Sequence, residues 1–409
     1  MLQDLLNAMN TAASVICDRN PDTALVIHHN DADGLSSGAV LLSALEQVGI
    51  EAAHISLEKP YPQVLEKVFV DSGQLIFFAD FAGKIAPYIS QLNGGRNLVV
   101  ILDHHPAEPS DDPMVMNLDG DLYGLKGDRD ISASATCCLF AEQLLSVYGA
   151  DGGPLSHLGM LGAVGDGFFV SGALSGINRT LMQRAVDQGI VKVAASSSGE
   201  TYTLVINGTE YPAETLCSFL DTLGGVGYYR NGTAMGLQLC REGITREAEE
   251  EIARLMALKN ELFGRELDRI KDHMFKTRHI QWFDAQSRFE PMGIKMIGVF
   301  CTEIRDSGFL DHDAYLAGFQ HIPNMVPGFG EIPFGATKIS MRASSVMTEK
   351  IRSGLMPGLD RFLPQATSRL GGFADACHSL SAATTVNIGE EAQLIDEMER
   401  LLAQKEQLI

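Results

Sequence analysis

Leu98-Val99-Val100-Ile101-Leu102-Asp103-His104-His105 sets five apolar residues directly before a carboxylate and two imidazoles. A continuous apolar run of this length suits a strand buried on both faces. Leu75-Ile76-Phe77-Phe78-Ala79 has the same form, Ala24–His29 is a third short apolar run, and Ile50–Leu57 is strand-like. Helical patterns lie between and after them: a Gly-Leu-Ser-Ser turn leads into a helix through about Val48, and Ala133–Val147 and Leu155–Val164 follow. This alternation predicts an α/β fold, a parallel sheet with helices on both sides. The amino-terminal stretch has apolar Leu2, Leu5, Leu6, Met9, Ala13 and Ile16 near helical spacing, which predicts an amphipathic cap helix.

Farther along, Tyr202–Ile206 and Glu210–Pro212 suggest a small hairpin, followed by the glycine-rich Gly224-Gly225-Val226-Gly227. Thr245 then caps a long charged helix with Ile252, Met256, Phe263, Leu267 and Ile270 at helical spacing. That helix could connect two lobes or form a homodimer contact. From about Pro291 the pattern predicts a second α/β domain with strands at Ile294–Phe300, Ala314–Phe319, Thr337–Ser344 and Ser381–Val386, and a last helix over Glu391–Lys405. Three segments result: 1–190, a connector over 191–285, and 286–409.

The 409 residues exceed one ordinary core, and 45% hydrophobic with 20% charged residues is globular composition. The seven cysteines are scattered without a CxxC pair, which argues against a disulfide framework or zinc knuckle and for a cytoplasmic home. No apolar run is long enough to span a membrane. The formal net charge of −21 argues against tight, nonspecific binding of long DNA.

Four places carry the chemistry. His29-Asn30-Asp31-Ala32-Asp33-Gly34 follows a strand, and strand alternation would let His29, Asp31 and Asp33 converge beyond its carboxyl end, the ligand-binding edge of open α/β sheets. Gly34 would permit a tight turn, with Ser36 and Ser37 opening a helix. Asp80 ends the second run, Asp103-His104-His105 the third, and Gly165-Asp166-Gly167 follows a helix. Singly, an acidic turn or helix cap explains Asp31, Asp80 or Asp166. Together they bring carboxylates and imidazoles to one sheet edge, a mixed donor set that favours manganese. Two such ions can clamp both oxygens of a phosphoryl displacement.

The order of these motifs resembles the DHH phosphoesterase superfamily, which includes RecJ-like exonucleases, oligoribonucleases, cyclic-dinucleotide phosphodiesterases and manganese pyrophosphatases. The short spacing from His29 to Asp31 is closer to the RecJ type than to the pyrophosphatases. The resemblance implies a catalytic domain, a connector and a DHH-associated substrate domain, with the active site in the cleft between domains. It implies two Mn2+, with Mg2+ as a substitute. His29, Asp31 and Asp80 would hold one ion, and Asp33, Asp80, His104 and Asp166 the other, with Asp80 as bridge. His105 would face phosphate and Asp103 would orient His104. Gly124-Leu125-Lys126-Gly127 with Ile131-Ser132-Ala133 resembles the family's stretch between the third and fourth motifs.

In the last segment, Lys338-Ile339-Ser340-Met341-Arg342 resembles the family's S-x-R strand, whose Arg meets substrate phosphate. Lys338, Arg342, Lys350, Arg352, Arg361 and Arg369 make this region locally basic. Gly371-Gly372 through His378 occupies the place of the family's Gly-Gly-Gly-His motif, with Phe373 where the His is expected; an insertion would keep His378 in the substrate role. The implied partner is a short single-stranded oligonucleotide or a small phosphorylated substrate such as polyphosphate, a cyclic dinucleotide or a nucleoside 3′,5′-bisphosphate, and no membrane. A non-catalytic scaffold would be expected to show degenerate metal positions, and here every one is filled.

Overall fold

The computed structural model describes residues 1–150, 154–197 and 199–406. The chain divides into two compact units, Met1–Ala253 with 327–329, and Arg254–Val326 with Gly330–Ile409.

The first unit opens with α1 (Leu2–Arg19), whose buried stripe is Leu5, Met9, Ala12, Ala13 and Ile16. There follow β1 (Thr23–His29), α2 (Ala32–Gln47), β2 (Glu51–Leu57), α3 (Pro62–Val68), β3 (Leu75–Ala79), α4 (Ala86–Asn93), β4 (Leu98–Leu102), β5 (Val115–Asn117), α5 (Ala133–Tyr148) and α6 (Ser156–Gly165). The strands pair in the order β2-β1-β3-β4-β5, all parallel. Every residue of β3 and β4 is buried, because helices cover both sheet faces. The strand order reverses between β1 and β3, and at such a switch point the connections leave in opposite directions and open a crevice at the carboxyl ends.

A two-residue hairpin follows, β6 (Phe169–Val170) with β7 (Ala173–Leu174), then α7 (Gly176–Asp187). The expected hairpin is part of a three-stranded antiparallel sheet of β8 (Val191–Ser196), β9 (Gly199–Ile206) and β10 (Thr209–Pro212). α8 (Ala213–Asp221), a π turn at Thr222–Val226 and α9 (Gly232–Glu242) complete this part. The glycine-rich stretch packs on the first motif: Asn30 Nδ2 donates to the Gly224 carbonyl at 2.9 Å, and a side chain on Gly224 would collide with the Asn30 carbonyl.

α10 (Arg246–His273) spans the boundary between the units, capped as expected by Thr245, whose hydroxyl accepts from the Ala248 amide. Its buried positions are Ala248, Ile252, Leu255, Phe263, Glu266 and Ile270; Met256, expected in the apolar stripe, is 44% exposed.

The second unit holds β11 (Phe275–Lys276), β12 (Ile280–Asp284), α11 (Met296–Ile304), β13 (Tyr315–His321), the pair β14 (Met325–Val326) and β15 (Gly330–Glu331), β16 (Ala336–Arg342), α12 (Ser345–Arg352), α13 (Leu363–Arg369), β17 (Phe373–Cys377), β18 (Ser381–Asn387) and α14 (Glu391–Glu406). Its sheet runs β11-β12-β13-β16-β18-β17, antiparallel except for β12 with β13. The strand expected at Ile294–Phe300 is instead helix α11. Ile297, Phe300, Cys301 and Ile304 are all buried at helical spacing, and in so apolar a run alternation and helical period overlap.

Candidate metal centre

The carboxyl ends of β1, β3 and β4 deliver the expected residues to one place. His29 ends β1, and its Nδ1 lies 2.8 Å from Asp31 Oδ2 and 3.3 Å from Asp80 Oδ2. Asp31 is the N-cap of α2, its Oδ1 accepting from the Gly34 amide at 3.0 Å. The helix therefore starts at Ala32, earlier than expected. Asp33 reaches the site from its first turn rather than by strand alternation, and Ser36 and Ser37 are buried inside the helix. Gly34 is needed for space, because a Cβ there would lie 2.5 Å from the His29 carbonyl oxygen.

Asp33 is fully buried and is held by α5: its oxygens accept the Ala133 and Ser134 amides at 2.8 and 3.0 Å. These are first-turn amides, so a carboxylate satisfies that helix end. Asp80 follows β3 in a left-handed conformation (φ 67°) and is 2% exposed. Its two oxygens face different partners: Oδ2 is toward His29, and Oδ1 lies 3.4 Å from His104 Nε2. Asp166, at the C-cap of α6, brings Oδ2 to 3.4 Å from the same His104 nitrogen, and Asp33 Oδ2 lies 4.0 Å away.

The triplet after β4 divides its labour differently from expectation. Asp103 does not hold the His104 ring. It accepts the His104 amide at 2.8 Å, the Gly83 amide at 2.9 Å and the His105 ring Nδ1 at 2.8 Å. The His104 ring instead turns its Nδ1 to the Gly127 carbonyl at 2.5 Å, which directs Nε2 into the cluster. A side chain on Gly127 would overlap the His104 carbonyl, so the Gly124–Gly127 stretch is fixed by close backbone approach. The His105 side chain is 40% exposed, and its Nδ1 is taken by Asp103.

Electrostatics follow from crowding. Burial disfavours charge on His29, but Asp31 and Asp80 outweigh it and lift the imidazole to about 10. The same contest, with Asp80, Asp166 and Asp33 opposing burial, ends with His104 well above its ordinary value. Burial and then Asp80 push Asp33 up to about 7, and burial with Asp33 raises Asp166. Burial also acts on Asp103, but His105 and His104 hold it low. Asp80 Oδ2 and His104 Nε2 are buried without a well-formed hydrogen bond, which is costly unless something else binds them. The ligand-type atoms of His29, Asp31 and Asp80 form one group and those of Asp33, Asp80, His104 and Asp166 another, each within 4.8 Å, with Asp80 shared. The donor set fits two divalent ions.

The reading of the sequence missed two supports. Buried Asp119 stands behind Asp103; burial, then Asp103 itself, pushes it up to about 8. Gly162 on α6 leaves room for Asp33 and Ser134, with which a Cβ would collide. A glycine within a helical run was the available signal for Gly162.

In the second unit, Ser340 and Arg342 share the β16 face that packs on Gly298 of α11. Arg342 donates to Thr302 Oγ1 (2.8 Å), the Met341 carbonyl (2.8 Å) and Ser340 Oγ (3.4 Å), all uncharged. The expected basic region is largely neutralised: Lys350, Arg352, Arg361 and Arg369 pair with Asp313, Glu349, Asp360 and Glu397, and Lys338 is buried. Ser381 pairs with Arg342 in register, and its carbonyl accepts the His378 amide, so His378 and Arg342 lie at one end of the sheet. Gly371 and Gly372 lie at the opposite end of β17, where Phe373 pairs with Thr385. Gly372 is required by the Thr385 carbonyl, which a Cβ would strike, and the structure does not bring the two glycines together with His378.

Residues 23–154 match the model of the DHH family, N-terminal domain. An uncharacterized protein of Methanocaldococcus jannaschii is 31% identical over 176 residues, covering 41% of this chain and 38% of that protein. The chain thus spans well under half of that relative. Among solved structures, RecJ of Thermus thermophilus in complex with Mn2+ superposes with a TM-score of 0.64 at 14% identity, over 97% of this chain and 55% of that one. An exonuclease RecJ bound to manganese gives 0.60 at 15% identity, over 97% and 94%. At such identity these two likenesses show the fold. Over residues 23–154 the chain thus matches the DHH family's N-terminal domain. That match ends short of Asp166, the fourth position expected from the sequence.

Proposed function

We propose that the protein is a manganese-dependent phosphoesterase that hydrolyses phosphodiester bonds of short single-stranded oligonucleotides. The observation that carries the reading is Asp80, whose two oxygens face two separate ligand groups from one buried carboxylate. His29, Asp31 and Asp80 would hold one ion, and Asp33, Asp80, His104 and Asp166 the other. When bound, the two ions would supply an acidified water and neutralise charge on the phosphoryl group. The chain's own groups do the rest. Asp103 fixes the His105 ring through Nδ1, leaving Nε2 to donate to a phosphate oxygen. Gly127 fixes the His104 tautomer. Arg342, paired with no carboxylate among the described residues, supplies a fork suited to phosphate in the second unit. The likeness to RecJ structures over 97% of the chain supports an oligonucleotide substrate. The seven cysteines form no disulfide among the described residues, which suits a reducing cytoplasm.

A second reading, hydrolysis of a small phosphate compound, is favoured by the pairing of the basic side chains of the second unit and by the net charge of −21, since neither offers a backbone track. Product analysis in Mn2+ separates the two, using single-stranded oligonucleotides of graded length, 3′-phosphoadenosine 5′-phosphate, a cyclic dinucleotide and polyphosphate. Turnover that holds or rises beyond two nucleotides supports the first reading. Activity confined to one or two nucleotides or to polyphosphate supports the second, and no hydrolysis of any of them overturns both.

A further inference from the structure

Away from the Asp80 cluster, the second unit gathers another set of ligand-type side chains. Asp284 ends β12, His321 ends β13 and Glu391 opens α14. Asp284 pairs in register with Phe319, so alternation puts Asp284, Phe319 and His321 on one face of the sheet. α14 covers that face, its Leu394, Ile395 and Met398 joining Phe319 in the core. Each of the three residues offers one nitrogen or oxygen, and these atoms all lie within 4.8 Å of one another.

Two details point to a missing partner rather than to a chance polar edge. Each carboxylate is pinned through one oxygen by a backbone amide: Asp284 Oδ1 accepts from Gln286 and Glu391 Oε2 from Gly389, both at 2.8 Å. The other Glu391 oxygen, Oε1, is buried with no hydrogen bond. Thr337, fully buried and opposite His321 in the β13–β16 register, therefore on the same face, also leaves its hydroxyl unsatisfied. Buried polar atoms without partners are exceptions that water or an ion normally meets. The nearby arginines do not serve: Arg269 and Arg288 are engaged by Glu266 and by the Asp284 carbonyl.

We propose that Asp284, His321 and Glu391 form a second divalent-cation site that takes a first-row transition ion of the zinc class and fastens the first turn of α14 to the edge of β12 and β13. One imidazole with two carboxylates is a donor set zinc accepts, and zinc stands above manganese in intrinsic affinity for such sites. The site is independent of the hydrolytic reading, because its residues lie in the other unit from the Asp80 cluster.

The test uses the full chain, stripped with a chelator and titrated with Zn2+ alone, with bound metal counted by elemental analysis after gel filtration. His321→Gln and Glu391→Gln should each bind one equivalent fewer per chain than the wild type, while Mn2+-dependent hydrolysis stays unchanged. Wild-type stoichiometry in both variants overturns the proposal. Should the variants fail to fold, hydrogen exchange of the wild type decides: Zn2+ should slow exchange at 284–286, 319–322 and 388–394, and unchanged exchange there overturns it.

Discussion

Asp80 concentrates the chemistry of the first unit in one side chain. Its backbone is left-handed, a conformation that Asn tolerates better than most residues, so Asp80→Asn isolates the loss of charge from backbone strain. Because the residue serves both ligand groups, Asp80→Asn should cut hydrolysis at least about a thousandfold, on the scale of several kcal/mol of lost charge stabilisation. Near-normal turnover at saturating Mn2+ would defeat the shared-ligand reading. Protons compete at the same atoms. His29 is lifted to about 10 and Asp33 to about 7, whereas a ligating His must be neutral and a ligating Asp ionised. Mn2+ uptake by chelator-treated protein should therefore release protons and tighten as pH rises from about 6 to 8. Calorimetry in buffers of different ionisation enthalpy checks this, and equal heats in all buffers would refute it. The linkage to stability has the same direction. The His29 contribution to the metal-free fold is complete below its ordinary 6.5 and is lost as pH rises through about 10. Asp33, raised from 3.8, costs stability as pH climbs through about 7. Melting of the stripped protein should thus fall with rising pH in that window, and Mn2+ should restore more at pH 8 than at pH 6.

At the scale of elements, the centre depends on how closely helices approach the sheet edge. α6 passes so near Asp33 and Ser134 that Gly162→Ala must displace one of them. Overpacking of this kind costs about 1–3 kcal/mol. Gly162→Ala should lower the melting temperature and weaken Mn2+ binding together, because the added methyl would lie 2.0 Å from Asp33 Oδ1, nearer than any other atom. A lower melting temperature with unchanged Mn2+ affinity would show that the strain relaxes elsewhere. β16 carries the corresponding test for the second unit. Arg342→Ala should raise KM roughly 10- to 100-fold, the range expected for losing charge-assisted hydrogen bonds, with a smaller effect on kcat. Arg342→Lys should recover little, because an ammonium lacks the planar fork. A fall in kcat at constant KM would remove Arg342 from the ground-state phosphate contact.

For the whole molecule, the eight residues of the candidate metal centre (His29, Asp31, Asp33, Asp80, Asp103, His104, His105 and Asp166) lie in the first unit, and Arg342 and His378 lie in the second. A chain ending at Ala253 should therefore keep the Mn2+ stoichiometry of the Asp80 cluster while losing most activity toward oligonucleotides. Loss of Mn2+ binding in a chain that keeps native circular dichroism would show that the centre is not self-contained. Much of this was legible in the amino-acid order. Apolar runs ending in Asp or His specify buried strands and the edge at which they stop, whereas the sorting of those side chains into two ligand sets came from the resemblance to the DHH superfamily. Local pattern could not separate helix from strand at Ile294–Phe300, where burial on all sides erases the period. Nor could it show that Gly127, 23 residues on, holds the His104 ring, that Gly224 buttresses Asn30, or that Gly371-Gly372 and His378 stand at opposite ends of one strand. Those relations are fixed by strand order and close packing between segments distant in sequence. The sequence by itself determined which side chains this protein brings to the sheet edge; the tertiary structure decided which atom of each faces which partner, because that choice belongs to neighbours that only folding supplies.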